Sequence, residues 1–159
     1  MSKPIYLSLL ALSLCACSSV GVQYAQPNAS QDSADYVGPG TYINSFNDKG
    51  CYTGRTFVKD KIKLLADKEV VVAYEAEPAQ NLFCRVLFSF VPEKNEKYQI
   101  QSGISTSPTG GKSLFGNPNE RTSCVVVLEK VDATGVKTPV TVTGLKLQTG
   151  FACIKAVPK

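Results

Sequence analysis

The sequence of 159 residues contains no histidine, and this absence excludes a large part of protein chemistry. Ser-His-Asp and Cys-His nucleophilic systems both need an imidazole as general base, so neither is available. Histidine-ligated metal sites and a simple imidazole pH switch are excluded for the same reason. Paired carboxylates are then the main remaining option for acid–base catalysis, and a Ser-Lys dyad stays open.

Other patterns typical of catalytic or metal sites are missing as well. The acidic residues are never spaced like a calcium-binding loop, and no two cysteines show the CxxC spacing of a zinc site or a redox dithiol. The formal net charge is only +4, and no block of five or six like charges occurs, so nothing indicates nucleic-acid binding. We therefore expect no metal, no cofactor, no nucleic-acid partner and no enzymatic activity.

The N-terminus has an apolar run, but one too short to span a bilayer, which needs about 20 apolar residues. Lys3 supplies a positive charge, the run extends from Ile5 to Leu14, and the sequence Leu14-Cys15-Ala16-Cys17 follows. A charged start, a short apolar core and a small residue before the cleavage point are typical of an export signal.

The pattern Leu14-x-Ala16-Cys17 resembles the lipobox of bacterial lipoproteins. The resemblance implies cleavage before Cys17, a diacylglyceryl thioether on its sulfur and an acyl chain such as palmitate on its amino group. Two or more acyl chains hold a protein stably at a membrane. Ser18 at the sorting position implies the outer membrane. The alternative is an ordinary secretory signal, with Cys17 as an incidental thiol.

The expected domain organisation follows from this signal. Removal of residues 1–16 leaves 143 residues, which suits one domain with a real hydrophobic core. Residues 17–40 are polar and lack apolar periodicity, so they predict an acylated N-terminus followed by a flexible tether. We expect the folded domain to occupy residues 41–159.

From Thr41 onward, short stretches with strand-like alternation are separated by turn signals. About seven or eight such stretches at a spacing of 8–12 residues predict an all-β fold, an antiparallel β-sandwich. Residues 58–69 are ambiguous, because their lysine, leucine and alanine content also allows a short helix. The clearest alternation belongs to a set expected to face the core, comprising Leu82, Cys84, Val86, Phe88 and Phe90, with Phe83, Arg85, Leu87 and Ser89 opposite.

Four cysteines lie beyond residue 17, and an even number in an exported chain predicts two disulfides. Three pairings are possible, and we favour Cys84–Cys124 together with Cys51–Cys153. If the strand predicted at 97–104 lay directly between Cys84 and Cys124, their Cα atoms would be about 9.5 Å apart. This bridge therefore requires that the two cysteines lie on opposite sheets, or that the intervening strand leaves the sheet.

The middle of the chain carries a second resemblance. Cys84-x-Val86-x-Phe88-x-Phe90-x-Pro92, then Tyr98, then Cys124-x-Val126-x-Leu128, resembles strand–turn–strand patterns in small bacterial envelope lipoproteins with immunoglobulin-like or transthyretin-like sandwiches. The resemblance implies a lipid-anchored β domain in the cell envelope.

Two segments are candidate contact surfaces. Residues 105–121 form a polar stretch of 17 residues, and loops longer than about 12–15 residues are uncommon unless functional or disordered. Within it, Leu114 and Phe115 either anchor a partner or fold back over one end of the sandwich. Lys59, Lys61 and Lys63 share one face if their stretch is a strand, where they either protect a sheet edge or contact an anionic envelope surface.

The function we expect is non-catalytic binding by a lipid-anchored domain, as an accessory or scaffold component that contacts an envelope protein. The alternative is an inhibitor of a lysozyme-type or protease-type hydrolase that acts through residues 105–121.

Overall fold

The computed structural model describes residues 21–79, 82–112 and 118–159. These residues contain no helix long and apolar enough to cross a membrane. Residues 1–20, which include Cys17, and the candidate contact residues Leu114 and Phe115 lie outside the described part of the chain.

Eleven strands occur in the described residues. They are β1 (Ser33–Val37), β2 (Thr41–Phe46), β3 (Tyr52–Val58), β4 (Lys61–Leu65), β5 (Val70–Ala79), β6 (Leu82–Phe90), β7 (Lys97–Lys112), β8 (Pro118–Val131), β9 (Lys137–Pro139), β10 (Thr143–Thr149) and β11 (Ile154–Pro158).

The strands form two sheets, which confirms the predicted β-sandwich. One sheet has the order β4-β1-β7-β8-β9 and the other the order β11-β10-β6-β5-β2-β3. Neighbouring strands are antiparallel except for the parallel pair β1 and β7. The strand number exceeds the seven or eight expected, in part because β1 lies in the predicted tether.

The main core lies between the two sheets and has an aromatic centre. The ring centroid of Phe90 lies 5.1 Å from that of Tyr98 and 6.4 Å from that of Tyr36. Cys84, Phe88 and Phe90 alternate along β6 and are all buried, which confirms the predicted inward face of this strand. Burial of each large apolar side chain contributes about 1.5–3 kcal/mol.

A buried hydroxyl network joins β1 to the turn that follows it. Thr41 Oγ1 donates a hydrogen bond to the Gly38 carbonyl at 2.6 Å, and the Tyr36 hydroxyl lies 3.2 Å from Thr41 Oγ1. A threonine hydroxyl has a single proton, which is already given to Gly38, so Tyr36 is the donor in the second bond. Burial raises the pKa of Tyr36 to about 12.

The tether predicted at residues 17–40 is wrong in its second half. Residues Ser33–Val37 form β1, which lies between β4 and β7 in the five-stranded sheet. Ala34 and Tyr36 on this strand are fully buried. The composition of the segment is mostly polar, so it gave no strand signal. Its two alternating residues Ala34 and Tyr36 nevertheless belong to the main core.

The segment that precedes β1 is already hydrogen-bonded to the folded domain. The Val22 N–H donates to the Thr53 carbonyl at 3.0 Å, and the Tyr24 hydroxyl accepts a hydrogen bond from the Leu65 N–H at 2.8 Å. A Cβ at Gly54 would lie 2.6 Å from the backbone of Val22, so this close approach requires glycine. The folded domain therefore begins well before the predicted boundary at Thr41.

The ambiguous residues 58–69 contain a strand between two turns rather than a helix. β4 lies at the edge of the five-stranded sheet, and its Ile62 and Leu64 are buried as the alternation predicts. The chain turns at Asp67, which adopts a left-handed conformation with φ of 58°.

Both predicted disulfides are confirmed. Cys84 on β6 and Cys124 on β8 belong to opposite sheets, with their Cα atoms 5.7 Å apart. The bridge therefore forms because the two cysteines lie on opposite sheets, and not because the intervening strand leaves the sheet. Cys51 and Cys153 are also bridged, across a sequence separation of 102 residues. In the chain-entropy model, each bridge stabilises the fold by about 4 kcal/mol.

The variant Tyr36→Phe tests the hydroxyl network. We expect it to lower the free energy of unfolding by about 1 kcal/mol at pH 8, because a buried hydrogen bond is lost. In the wild type, the raised pKa of Tyr36 means that stability falls as pH rises from 10 towards 12. The variant has no hydroxyl at this position to titrate, so the difference in the free energy of unfolding between the two proteins should narrow from pH 10 to pH 12. Urea unfolding at pH 8, 10 and 11.5 measures this difference. A difference that stays constant with pH would contradict the assignment of the raised pKa to Tyr36.

Candidate functional site

The six-stranded sheet curls until its two edge strands meet. β3 and β11 are the opposite edges of this sheet. Cys51 directly precedes β3 and Cys153 directly precedes β11, yet their Cα atoms are only 5.6 Å apart. Sheets twist as strands are added, and in this sheet a disulfide ties the two edges together.

A groove lies inside this curl, on the sheet face opposite the main core. We call it the outer groove, with a cavity volume of about 630 Å³, within the range of about 300–1,000 Å³ typical of ligand sites. Its described lining consists of Asn44, Tyr52, Arg55, Ala73, Glu75, Arg85, Leu87, Leu145, Lys146, Leu147, Ile154 and Lys159.

The floor of the outer groove is apolar. Ala73, Leu87 and Leu145, from β5, β6 and β10, form a small cluster in which each residue is at most 6% exposed. Leu87 belongs to the set predicted to lie opposite the core-facing side chains of β6. The sequence did contain a signal for this second buried face, because Leu87 and Phe83 interrupt the polar side of the alternation, and strands covered on both faces are apolar on both.

An ion-pair triad crosses the outer groove. Glu75 Oε2 accepts a hydrogen bond from Arg55 Nη1 at 2.9 Å, and Glu75 Oε1 contacts Arg85 Nε at 2.8 Å and Arg85 Nη2 at 2.6 Å. The Glu75 side chain is only 14% exposed, whereas those of Arg55 and Arg85 are 40% and 54% exposed. Because one carboxylate serves two guanidinium groups, the triad carries one net positive charge.

The electrostatics of the triad keep Glu75 ionised. Burial of the carboxyl raises its pKa, but the hydrogen bonds and charges of Arg85 and Arg55 outweigh this effect and hold the pKa of Glu75 below its ordinary value of 4.5. An ionised carboxylate committed to two arginines is poorly suited to be a general acid near neutral pH. Glu75 therefore acts as a support that orients the two arginines.

Two further groups define the polar wall. The Arg55 guanidinium carbon lies 4.1 Å from the centre of the Tyr42 ring, a cation–π contact that fixes the arginine from the other side. Asn44 is 9% exposed, and its buried Nδ2 has no hydrogen-bond partner. A buried donor left unpaired costs about 1–3 kcal/mol, so Asn44 is an unsatisfied group in the groove wall.

The second candidate surface is a projecting ribbon, and it corrects the loop predicted at residues 105–121. β7 continues to Lys112 and β8 begins at Pro118, with Ser105 paired to Ser123 and Ser107 to Arg121. We call residues 101–112 and 118–124 the β7–β8 arm. All residues from 101 to 111 are exposed, whichever face of the ribbon they occupy.

The β7–β8 arm extends well beyond the sandwich. β1 pairs with β7 only as far as Gln99, and β9 pairs with β8 only from Glu129. At about 3.3 Å per residue, residues 101–111 span roughly 30 Å. Ile104 is 46% exposed, because it lies at the base of this arm, opposite Cys124.

The three candidate lysines are not brought together on one strand. Lys61 and Lys63 share the exposed face of β4, but Lys59 lies in the turn before it. Lys63 Nζ is 3.5 Å from Asp35 Oδ1, and both side chains are more than half exposed, so the pair contributes little. Lysines on an exposed edge strand match the interpretation that they protect the edge.

The described residues contain no group of three or more cysteine and carboxylate side chains placed to hold a metal ion. The groove and the arm instead present hydrogen-bond donors, guanidinium groups, an apolar floor and exposed strands.

The variant Glu75→Gln tests the triad. We expect it to lower the free energy of unfolding by about 1 kcal/mol at pH 7, a value discounted because both arginines are partly exposed. Because the pKa of Glu75 is lowered, its contribution is present above pH 4.5 and is lost as pH falls through the folded-state pKa. Urea unfolding curves of wild type and variant should therefore converge at pH 3. Glu77→Gln, on the same strand, is the matched control, and an equal effect of both variants would contradict the triad's role.

Comparison of the chain with models of protein families, with curated proteins and with solved structures finds no match in any of the three.

Proposed function

We propose that this protein is a lipid-anchored, non-catalytic binding domain of the bacterial outer membrane, facing the periplasm or the cell surface, which contacts an envelope protein through the β7–β8 arm. The lipobox-like sequence ending at Cys17 supports the anchor. The arm supports the mode of binding.

The observation that carries the proposal is the exposure of residues 101–111. A two-stranded ribbon is only marginally stable in water by itself, and these residues are exposed on both faces of the ribbon. They contain no charged side chain, and the strand pairing of β1 with β7 ends before them. Exposed strand edges are templates for pairing with an extended segment of another protein.

The base of the arm is rigidly placed. Cys124 on β8 lies opposite Ile104 and is bridged to Cys84 on β6 of the other sheet. The ribbon therefore leaves the sandwich from a covalently fixed point, which reduces the freedom that a partner would have to restrict on binding.

A binding role fits the chemistry better than a catalytic one. The sequence has no histidine, and the carboxylate in the outer groove, Glu75, is held ionised by two arginines.

The proposed anchor places the domain close to the membrane. Val22 is hydrogen-bonded to β3 and follows Cys17 by five residues. Five residues span at most about 18 Å when extended. The domain would thus sit nearer to the lipid head groups than the long tether predicted from composition would allow.

Replacement of Cys17 by serine tests the anchor. We expect Cys17→Ser to abolish acylation, because serine has no thiol to form the thioether, and to move the protein into the soluble fraction. Fractionation and metabolic labelling with a palmitate analogue measure both effects. Membrane association that persists in the variant would refute the lipoprotein assignment.

A shortened arm tests the binding role. Thr106 and Thr122 are paired neighbours, so residues 107–121 can be replaced by Asn-Gly, a pair that favours two-residue hairpin turns. We expect the variant to keep both disulfides and its unfolding midpoint, because the described residues 107–111 of the removed stretch are exposed. In crosslinking from intact cells, it should lose a defined envelope partner that the wild type retains.

Two double variants test the other candidate contact residues. Leu114→Ser with Phe115→Ser keeps the arm length and tests the predicted anchor residues. Lys61→Gln with Lys63→Gln tests the basic face. Identical partners for wild type and shortened arm would refute the arm as the contact. If the partner is a lysozyme-type or protease-type hydrolase whose activity is lower with the wild type than with the shortened arm, the inhibitor function is the correct one.

A further inference from the structure

We propose that the outer groove binds an amphipathic anion, a carboxylate or phosphate head group joined to a short apolar chain. This site lies on the outer face of the six-stranded sheet, away from the β7–β8 arm. It therefore goes beyond the proposed function and does not depend on it.

The groove is framed by the curvature of the sheet and is not a shallow depression on a flat one. The disulfide between Cys51 and Cys153 joins the two edge strands of the sheet around it. Covalent closure keeps the walls at a fixed separation in the unliganded state, so little ordering has to accompany ligand entry.

The floor offers an apolar chain a dry surface. Ala73, Leu87 and Leu145 form its base, and Leu147 and Ile154 line the side, each 39% exposed. Partly exposed leucine and isoleucine side chains gain from being covered, at about 25 cal/mol for each Å² removed from water.

The triad offers an anionic head group fixed donors. A guanidinium carries five N–H donors. Glu75 contacts one nitrogen of Arg55 and two of Arg85, so each arginine retains donors beyond those that Glu75 engages. Arginine matches carboxylate and phosphate geometry because its donors form a planar fork. Glu75 and the Tyr42 ring hold these forks in place before a ligand arrives.

The unpaired amide of Asn44 points to the same chemistry independently. Its Nδ2 is buried in the groove wall without a partner, and buried polar atoms in folded proteins are nearly always satisfied. Rotation of the Asn44 side chain towards the groove would let a ligand oxygen supply the missing acceptor.

The charge of the lining excludes other ligand classes. Glu75 is the one acidic residue in the described lining, against Arg55, Arg85, Lys146 and Lys159, so a cation would be repelled. A purely apolar ligand would leave Asn44 unsatisfied and would desolvate the arginines without compensation. A small inorganic anion would leave the apolar floor uncovered.

Titration of the unlipidated full chain (Cys17→Ser) with decanoate tests the proposal, since the protein's own acyl chains are then absent. Calorimetry should show saturable 1:1 binding at decanoate concentrations below those at which micelles form. In NMR spectra, the resonances of Ala73, Leu87 and Leu145 should shift on addition of decanoate. Decyl phosphate distinguishes the two head groups, and binding of either supports the site. Acetate, inorganic phosphate and decanol each lack one half of the ligand and should bind at least tenfold more weakly.

Two variants address the donors. Arg85→Gln and Asn44→Leu should each weaken binding by about tenfold, the loss expected for one hydrogen bond to a charged group. Arg85 is largely exposed, and leucine has nearly the size of asparagine without its unpaired buried donor, so both variants should fold. Lys155→Gln is the matched control, since Lys155 lies on β11 outside the groove lining, and it should leave the affinity unchanged.

The proposal is overturned if neither decanoate nor decyl phosphate binds, if decanol binds as tightly as decanoate, or if acetate or phosphate alone accounts for the affinity. Equal weakening by Lys155→Gln would also overturn it, because the effect would then be one of net charge. None of these results bears on the arm, whose test is crosslinking in cells.

Discussion

The curvature of the six-stranded sheet is the constraint on which the rest of the structure depends. Its concave course brings the edge strands β3 and β11 close enough for Cys51 and Cys153 to bond. The same course gives the sheet two buried faces, one against the sandwich core and one around the outer groove. A flat sheet would leave Ala73, Leu87 and Leu145 in water and would separate the two cysteines by the width of five strand spacings, about 24 Å.

The second disulfide performs a different task. Cys84–Cys124 connects the two sheets where the β7–β8 arm leaves the sandwich. The two covalent links therefore separate the molecule into a stiff, curled body and a slender ribbon. This division matches the distribution of chemistry: charged and apolar side chains line the groove, whereas the described arm from residue 101 to 111 presents uncharged side chains and backbone.

Sequence patterns predicted those features that come from a single buried face. The alternation of Cys84, Phe88 and Phe90 identified the inward side of β6, and the cysteine count with strand positions identified both bridges. The patterns failed where no face, or both faces, are buried. Residues 101–111 of the arm are exposed on both faces of the ribbon and have no apolar periodicity. The sequence pattern therefore predicted a loop where the structure has strands. Leu87 marks a second apolar face of β6, but the spacing of residues along the chain does not show that Arg55, Glu75 and Arg85 converge beside it.

The docking of the N-terminal segment determines how mechanical load would enter this domain. Val22 is bonded to Thr53, two residues after Cys51. If Cys17 carries the lipid anchor proposed above, a pull on that residue would pass through Val22 to β3, beside the bridge to β11. The force would then pass through a covalent bond to the far edge of the sheet, rather than peel strands apart one hydrogen bond at a time. A domain anchored in this way would resist tension along the anchor while its ribbon, at the other sheet, would remain free of that load.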